Sequence, residues 1–240
     1  MDELKGSFRL SSEPYRLSFV IPTLNEEKGI VSTLSELPLK ELGDMGFLCE
    51  VVVVDGGSLD GTRENAERLG ARVVVEPRRG YGRAYKTGFG VARGDILVAF
   101  DGDFSYPPSV VPMLVEVMVK DGVDFVTADR FGLMEDDAMD FLRRFGNWVL
   151  SFLVRFLFGV GLRDSQSGMW VIKRGTLGRI MPRSDGMAFS EEIKIRAFKS
   201  CKTMEVPIHY RRRVGESKIT TVLDGLRNLF YILRLKFIGL

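Results

Sequence analysis

The 240-residue sequence predicts an α/β chain built on a mainly parallel sheet with helices on both faces. Three observations predict it. Strand-like apolar runs alternate with segments of helical spacing throughout the first half. Val51–Val54 is an unbroken run of valines, the pattern of a strand buried on both faces. Asp55 and Asp101 each follow such a run, and ligands of parallel sheets bind beyond the carboxyl ends of strands.

The elements follow in order. Leu17–Ile21 is a strand stopped by Pro22, and Glu26–Leu37 has helical spacing and ends before Pro38. Val51–Val54 is the second strand, Asp60–Leu69 a helix closed by Gly70, and Arg72–Val75 the third strand. Gly82–Ala92 is a helix ending at Gly94, Ile96–Phe100 the fourth strand, Pro108–Lys120 a helix opened by proline, and Val123–Thr127 the fifth strand. The second half is different. Leu142–Leu162 is aromatic-rich and punctuated by Arg143, Arg144 and Arg155. A strand at Met169–Ile172, a helix at Glu191–Phe198 and a strand at Thr203–Ile208 follow. A basic loop, Arg211–Lys218, precedes a last helix from about Thr220 onward.

Composition excludes several classes. A net charge of +2 is too balanced for nucleic-acid binding, so no nucleic-acid partner is expected. Cys49 and Cys201 lie far apart without CxxC spacing, which excludes a zinc cluster or disulfide framework and suits a reducing, cytoplasmic setting. His209 is the only histidine, so two-histidine metal sites and Ser-His-Asp triads cannot be built. A metal here must have oxygen ligands, which points to Mg²⁺ or Mn²⁺. Residues 1–15 carry Asp2, Glu3 and Glu13 and lack the apolar core of a signal peptide, so secretion is not expected. Phe145–Leu162 is the stretch closest to a membrane span, but Arg155 interrupts it, and a spanning helix is not expected.

Asp101-Gly102-Asp103 is the sharpest local feature. Two carboxylates two residues apart at the end of a buried strand repel each other unless a cation lies between them, and such a cation would bridge a nucleotide diphosphate. Ser105 offers a further oxygen ligand. Pro22-Thr-Leu24-Asn25-Glu26 follows the first strand and opens a helix that Asn25 can cap. In Asp55-Gly-Gly-Ser58-Leu-Asp60-Gly-Thr62 the glycines permit close backbone approach, Asp60 or Ser58 can cap the next helix, and Asp55 can accept hydrogen bonds from a base or ribose. Arg79-Gly80-Tyr-Gly82-Arg83 is out of register for a dinucleotide fingerprint and follows the third strand, so a basic, glycine-rich diphosphate contact is the better reading.

PTLNE, DGGSLDGT, RGYGRA and DGDFSYPP, in this order and spacing, resemble the family 2 inverting glycosyltransferases of the GT-A fold. Within that family the chain looks most like the polyprenyl-phosphate glycosyltransferases, dolichol-phosphate mannose synthases among them. Ala128-Asp-Arg130, Arg144-Phe-Gly-Asn147, Asp164-Ser-Gln-Ser-Gly168, Glu192 and Arg213-Val-Gly-Glu-Ser217-Lys218 extend the likeness across roughly Leu17–Lys218. Many relatives have alanine where Gly102 stands, and some carry transmembrane helices after the catalytic domain, which are not expected here.

The resemblance implies a GT-A (Rossmann-like) catalytic domain over 16–218, after an extension over 1–15 and before a C-terminal amphipathic interfacial helix over 219–240. Pro22, Leu24, Asn25, Glu26 and Asp55 would hold the nucleoside, with Arg79, Gly80 and Arg83 at the diphosphate. Asp101, Asp103 and Ser105 would hold Mg²⁺ or Mn²⁺, with Gly102 between them. Arg130, Arg144 and Arg213 would gather around phosphate, assisted by Lys218, and Glu192 would orient sugar or acceptor. The expected reaction is transfer of a sugar, mannose from GDP-mannose, to dolichyl or polyprenyl phosphate on the cytoplasmic membrane face. The alternatives are UDP-glucose as donor, a hydroxyl acceptor, or a non-catalytic nucleotide-binding subunit. Whether a separate membrane subunit or homo-oligomerisation is needed stays open.

The last helix supports a peripheral, monotopic location. Leu223, Leu226, Phe230, Leu233, Phe237 and Leu240 share one face, flanked by Arg227 and Arg234. Ile232 and Leu235 interrupt the polar side, and Trp148, Phe152, Phe156 and Phe158 with Arg155 suggest a second interfacial element.

Overall fold

The computed structural model describes residues 15–135, 138–215 and 221–239. Among them seven strands form one sheet: β1 (Tyr15–Thr23), β2 (Phe47–Asp55), β3 (Arg72–Val75), β4 (Ile96–Ala99), β5 (Phe125–Met134), β6 (Trp170–Lys173) and β7 (Thr203–Tyr210). The order is β3-β2-β1-β4-β6-β5-β7. Pairing is parallel except at β6, which runs antiparallel to both β4 and β5. Thr23 pairs with Asp55 and Asp55 with Val75, so the carboxyl ends of β1, β2 and β3 lie in one row.

Period-two alternation distributes the core. Leu17, Phe19, Ile21 and Val53 point to one face, where Ile30 and Leu34 of α1 (Glu27–Ser35), Leu42 of α2 (Leu39–Asp44) and Leu114 and Met118 of α5 (Val111–Lys120) cover them. Val20, Val52, Val54, Leu97 and Ala99 point to the other face. Ala84, Tyr85 and Phe89 of α4 (Tyr81–Val91) and Phe189 and Ile193 of α8 (Phe189–Ser200) cover that side. Ala66 of α3 (Thr62–Arg68) joins the first cluster and Ile180 of the short α7 (Leu177–Ile180) the second.

A third core cluster joins the last helix to the domain. Ile232 and Leu235 of α9 (Thr221–Ile238) pack with Leu150, Val154 and Phe158 of α6 (Phe141–Phe158) and Ile195 of α8. This explains the two apolar residues on the side expected to be polar: that side faces α6. The side carrying Leu223, Leu226, Phe230, Leu233 and Phe237 is exposed, as its spacing predicts. Leu240 and the extension up to residue 14 lie outside the described residues.

The sequence placed the end of the fifth strand too early. β5 continues to Met134 because Leu133 and Met134 pair with His209 and Tyr210 across a register shift, and this carries Arg130 onto a strand. No described helix is long and apolar enough to cross a membrane.

Candidate active site

Two loops at the carboxyl edge are joined to each other before they meet any ligand. Asn25 N–H donates to Ser58 Oγ (2.8 Å), Leu59 N–H to Asn25 Oδ1 (2.8 Å), and Glu26 N–H to Thr62 Oγ1 (2.8 Å). Asn25 therefore does not cap α1, and it adopts the left-handed conformation (φ 49°) that few non-glycine residues take. Gly61 stands at the N-cap of α3, and Asp60 before it accepts from that helix's first N–H, of Thr62 (3.1 Å), and from Glu27 N–H (3.1 Å).

Asp55 is fully buried and absent from the cavity wall. Its carboxylate accepts from the N–H groups of Gly57 (3.1 Å) and Ser58 (2.9 Å) and from the Ser58 hydroxyl, with Arg63 Nε at 3.8 Å. Asp55 thus shapes the turn through three donors from Gly57 and Ser58. Gly56, Gly57 and Leu59 of that turn line the cavity instead, beside Pro22, Leu24, Asn25 and Glu26.

Asp101 and Asp103 both reach the cavity. Tyr81 Oη donates to Asp101 Oδ1 at 2.9 Å and Tyr85 Oη at 3.3 Å. Burial and the neighbouring charge of Asp103 push the Asp101 carboxyl up to about 7. Ser105 is buried behind them, donating from N–H (3.0 Å) and Oγ (2.5 Å) to Asp103 Oδ1, so it orients Asp103 and does not stand where a metal could reach it. A Cβ on Gly102 would come within 2.7 Å of Thr23 Cγ2, so the close approach of this turn to β1 suits glycine.

No cluster of three or more His, Cys, Asp or Glu exists among the described residues. The donor set is a carboxylate pair, which matches a hard cation that takes one or two carboxylates and completes its shell with phosphate oxygens and water. Such a cation would offset the charge of Asp103 that, after burial, raises the Asp101 carboxyl.

Arg213 spans the opening between two loops. It donates from Nη2 to Glu26 Oε1 (2.7 Å), places Nη1 3.5 Å from Asp103 Oδ2, and lines the cavity. Arg79 and Gly80 line it as expected. Gly80 has φ 144°, and a Cβ there would collide with the Asp185 carbonyl. Arg83 is turned away: its guanidinium pairs with Asp185, which also accepts from Lys86 Nζ (2.7 Å).

The remaining basic residues are distributed unevenly. Arg130 is buried and lines the cavity, with Nε (2.7 Å) and Nη2 (2.9 Å) forked onto Asp164, which is also buried. Arg144 is exposed on α6 and absent from the cavity wall, where its neighbour Arg143 stands. One residue rotates a helix by about 100°, and the cap that Asp140 Oδ1 accepts from Arg143 N–H (2.8 Å) sets this phase. Glu192 is buried away from the cavity wall. It accepts from the N–H groups of Arg183 (3.0 Å) and Ser184 (3.0 Å), from Arg196 Nε (2.8 Å) and from Tyr231 Oη (2.6 Å). These bonds make it the anchor of the α7–α8 loop and of α9. Lys218 lies outside the described residues.

Sequence reasoning missed Glu76 and Arg78, which follow β3 and line the cavity; Arg78 and Thr87 hold the Glu76 carboxylate down at about 2. Their place after an apolar run was the available signal. It also missed that α6 and α9 form one wall. The cavity measures about 1280 Å³, above the roughly 300–1,000 Å³ of common small-ligand sites. That is room for two substrates.

The glycosyl transferase family 2 model matches residues 18–180. A dolichyl-phosphate hexose transferase of Haloferax volcanii is 34% identical over 87% of this chain and 89% of its own length. The low-salt glycan biosynthesis hexosyltransferase Agl6 of the same organism is also 34% identical, and the chain spans only 53% of its length. A dolichol-phosphate mannosyltransferase of Pyrococcus furiosus is 28% identical over 91% of this chain and 64% of its own. In fold, the structure of glucosyl-3-phosphoglycerate synthase from Mycobacterium tuberculosis with Mn²⁺, UDP and glucosyl-3-phosphoglycerate superposes with a TM-score of 0.77 at 24% identity, covering 100% of this chain and 84% of that one. The architecture is thus GT-A-like, and the chain belongs to glycosyl transferase family 2.

Proposed function

We propose that this protein transfers a hexose, mannose from GDP-mannose, to a polyprenyl phosphate at the cytoplasmic surface of a membrane, with inversion at the anomeric carbon. One observation carries the proposal: a single cavity joins the Asp101–Asp103 pair to a wall made by α6 and α9, whose outer faces are apolar and exposed. The activities named for the Haloferax and Pyrococcus relatives support the lipid-phosphate acceptor.

An ionised phosphate oxygen needs no strong general base. It attacks the anomeric carbon as the bond from that carbon to the diphosphate breaks, and the nucleoside diphosphate leaves. Asp101 and Asp103 would hold Mg²⁺ or Mn²⁺, which when bound supplies charge neutralisation at the departing diphosphate. Arg79 and Arg213 offset the same charge. Arg130, with Nε and Nη2 on Asp164, keeps Nη1 for the acceptor phosphate, and Arg143 adds to it from α6. The test is a panel of GDP-mannose, UDP-glucose and related donors with a short polyprenyl phosphate. Transfer from GDP-mannose is the expected result; transfer to a sugar hydroxyl instead, or from no donor, would overturn the proposal.

The membrane part rests on α6. Phe141, Phe145, Trp148, Phe152 and Phe156 are exposed and stack in a continuous ladder, with ring centroids 6.0–6.3 Å apart. Phe158 is buried and does not belong to it. Aromatic side chains flanked by arginine suit a lipid interface. Deleting α9 would uncover the core around Val154 and Ile195, so point changes make the cleaner test. Anionic liposomes should bind the protein and shift Trp148 emission to the blue, since the second tryptophan, Trp170, is already buried. Phe152→Asp with Phe230→Asp should abolish sedimentation with the liposomes at unchanged nucleotide affinity. Undiminished sedimentation of that variant contradicts the docking surface.

A further inference from the structure

The last helix also contributes a polar residue to the cavity. Asn228 is only 8% exposed, yet it lines the cavity. Its Nδ2 donates to Gln166 Oε1 (3.0 Å), and Gln166 Nε2 donates to Ser165 Oγ (2.9 Å) and to Glu191 Oε2 (2.8 Å). Both Gln166 amide hydrogens are therefore used, and with Glu191 Oε2 and Ser165 Oγ as acceptors Gln166 turns its Oε1 toward Asn228 Nδ2.

Glu191 ends this chain at a high cost. It is fully buried, its Oε1 has no partner, and burial pushes its carboxyl up to about 8. A tether between α9 and the domain does not require it, because Glu192 already holds Tyr231 of the same helix. What Glu191 adds is the orientation of Gln166, and through it that of Asn228.

Asn228 keeps its Oδ1 and one Nδ2 hydrogen without a partner among the described residues. An acceptor and a donor side by side match hydroxyl groups, which both donate and accept; a phosphate oxygen only accepts. The position agrees with that chemistry. Gln166 lies two residues before Gly168, and a Cβ on Gly168 would be 3.2 Å from Asp101 Oδ2. The segment 166–168 therefore runs from Asn228 to the carboxylate pair.

We propose that Asn228, oriented by Gln166 and Glu191, is a specificity-determining residue that hydrogen-bonds the hydroxyls of the transferred hexose. This rests on the hexose-transfer reading above and names the part of the substrate that α9 reads.

Calorimetry separates the two ideas. The full-length protein and Asn228→Ala are titrated with GDP, GDP-mannose, UDP and UDP-glucose in the presence of Mn²⁺. GDP and UDP affinities should stay within about twofold, whereas the preferred nucleotide-sugar should lose about tenfold, the loss of one or two neutral hydrogen bonds. Asn228→Gln keeps the amide and shifts it by one methylene, so it should alter the preference between the two sugars and keep sugar binding. Gln166→Met should act in the direction of Asn228→Ala. Melting curves on the same samples show which variants are folded. Equal losses for nucleotide and nucleotide-sugar, or an unchanged profile in both Asn228 variants, overturn the assignment of Asn228 alone. A wild-type protein that binds none of the four ligands overturns the transferase reading, and this assignment with it.

Discussion

Asp103→Ala is expected to lower sugar transfer by about 10³-fold, or about 4 kcal/mol in the barrier, the scale of losing an electrostatic contact to a departing group. The fold should persist with some loss of stability, because the buried Ser105 N–H and Oγ lose their acceptor. The substitution removes the like charge that, after burial, raises the Asp101 carboxyl, and it leaves Arg213 paired with Glu26 at 2.7 Å. Turnover assays beside circular dichroism and thermal melting measure the two quantities separately. Excess EDTA should reproduce the loss in the wild-type protein, and Mg²⁺ or Mn²⁺ should restore it. Full activity in EDTA would exclude a metal-dependent reaction, and a collapsed melting curve would make Asp103 a structural residue.

Asp164→Ala is expected to have the largest effect on stability. Asp164 accepts from Arg130 N–H (3.1 Å), Nε (2.7 Å) and Nη2 (2.9 Å), and from Gln166 N–H (3.1 Å), with both members of the ion pair buried. Removing one partner strands a buried cation at a cost of about 3–5 kcal/mol. For a chain of this size that lowers Tm by roughly 6–20 °C. Burial alone would raise the Asp164 carboxyl, yet the charge and hydrogen bonds of Arg130 hold it below the usual range. A depressed carboxylate contributes stability above its unfolded pKa of about 3.9 and loses it as pH falls below that value. The wild type should therefore lose more stability than Asp164→Ala on acidification. Arg130→Met combined with Asp164→Leu should regain stability without regaining activity, because apolar packing replaces the pair but not the phosphate contact proposed for Arg130. A Tm change under about 2 °C in Asp164→Ala would contradict the account.

Much of the fold was legible because its signals are local. All seven strands were expected from the sequence, five of them in its first half from apolar runs, and Asp55 and Asp101 after two of these fall at the carboxyl edge. The antiparallel placement of β6 between β4 and β5 carried no such signal. Its residues, Trp170–Lys173, form an ordinary apolar run, and strand direction is set by partners far away in sequence.

The site divides along the same line. The sequence by itself pointed to the Asp101–Asp103 pair, the Pro22–Glu26 loop and Arg79, because each belongs to a short motif placed directly after a strand, and to Arg213 through the family resemblance; all of them line the cavity. Only the tertiary structure decided the side chains whose direction depends on long-range partners. Asp55, Ser105 and Arg83 have the right chemistry, but Ser58, Asp103 and Asp185 hold them off the cavity wall. Arg143 reaches the cavity and Arg144 does not, since one step along a helix changes the face and the Asp140 cap sets the phase. Glu191 and Glu192 are adjacent in α8, yet one orients a cavity amide and the other holds Tyr231. Ile232 and Leu235 break the amphipathic pattern of α9 because a second face of that helix is buried against α6. Local spacing fixes which residues share a face. Where that face points is set by the packing of elements distant in sequence.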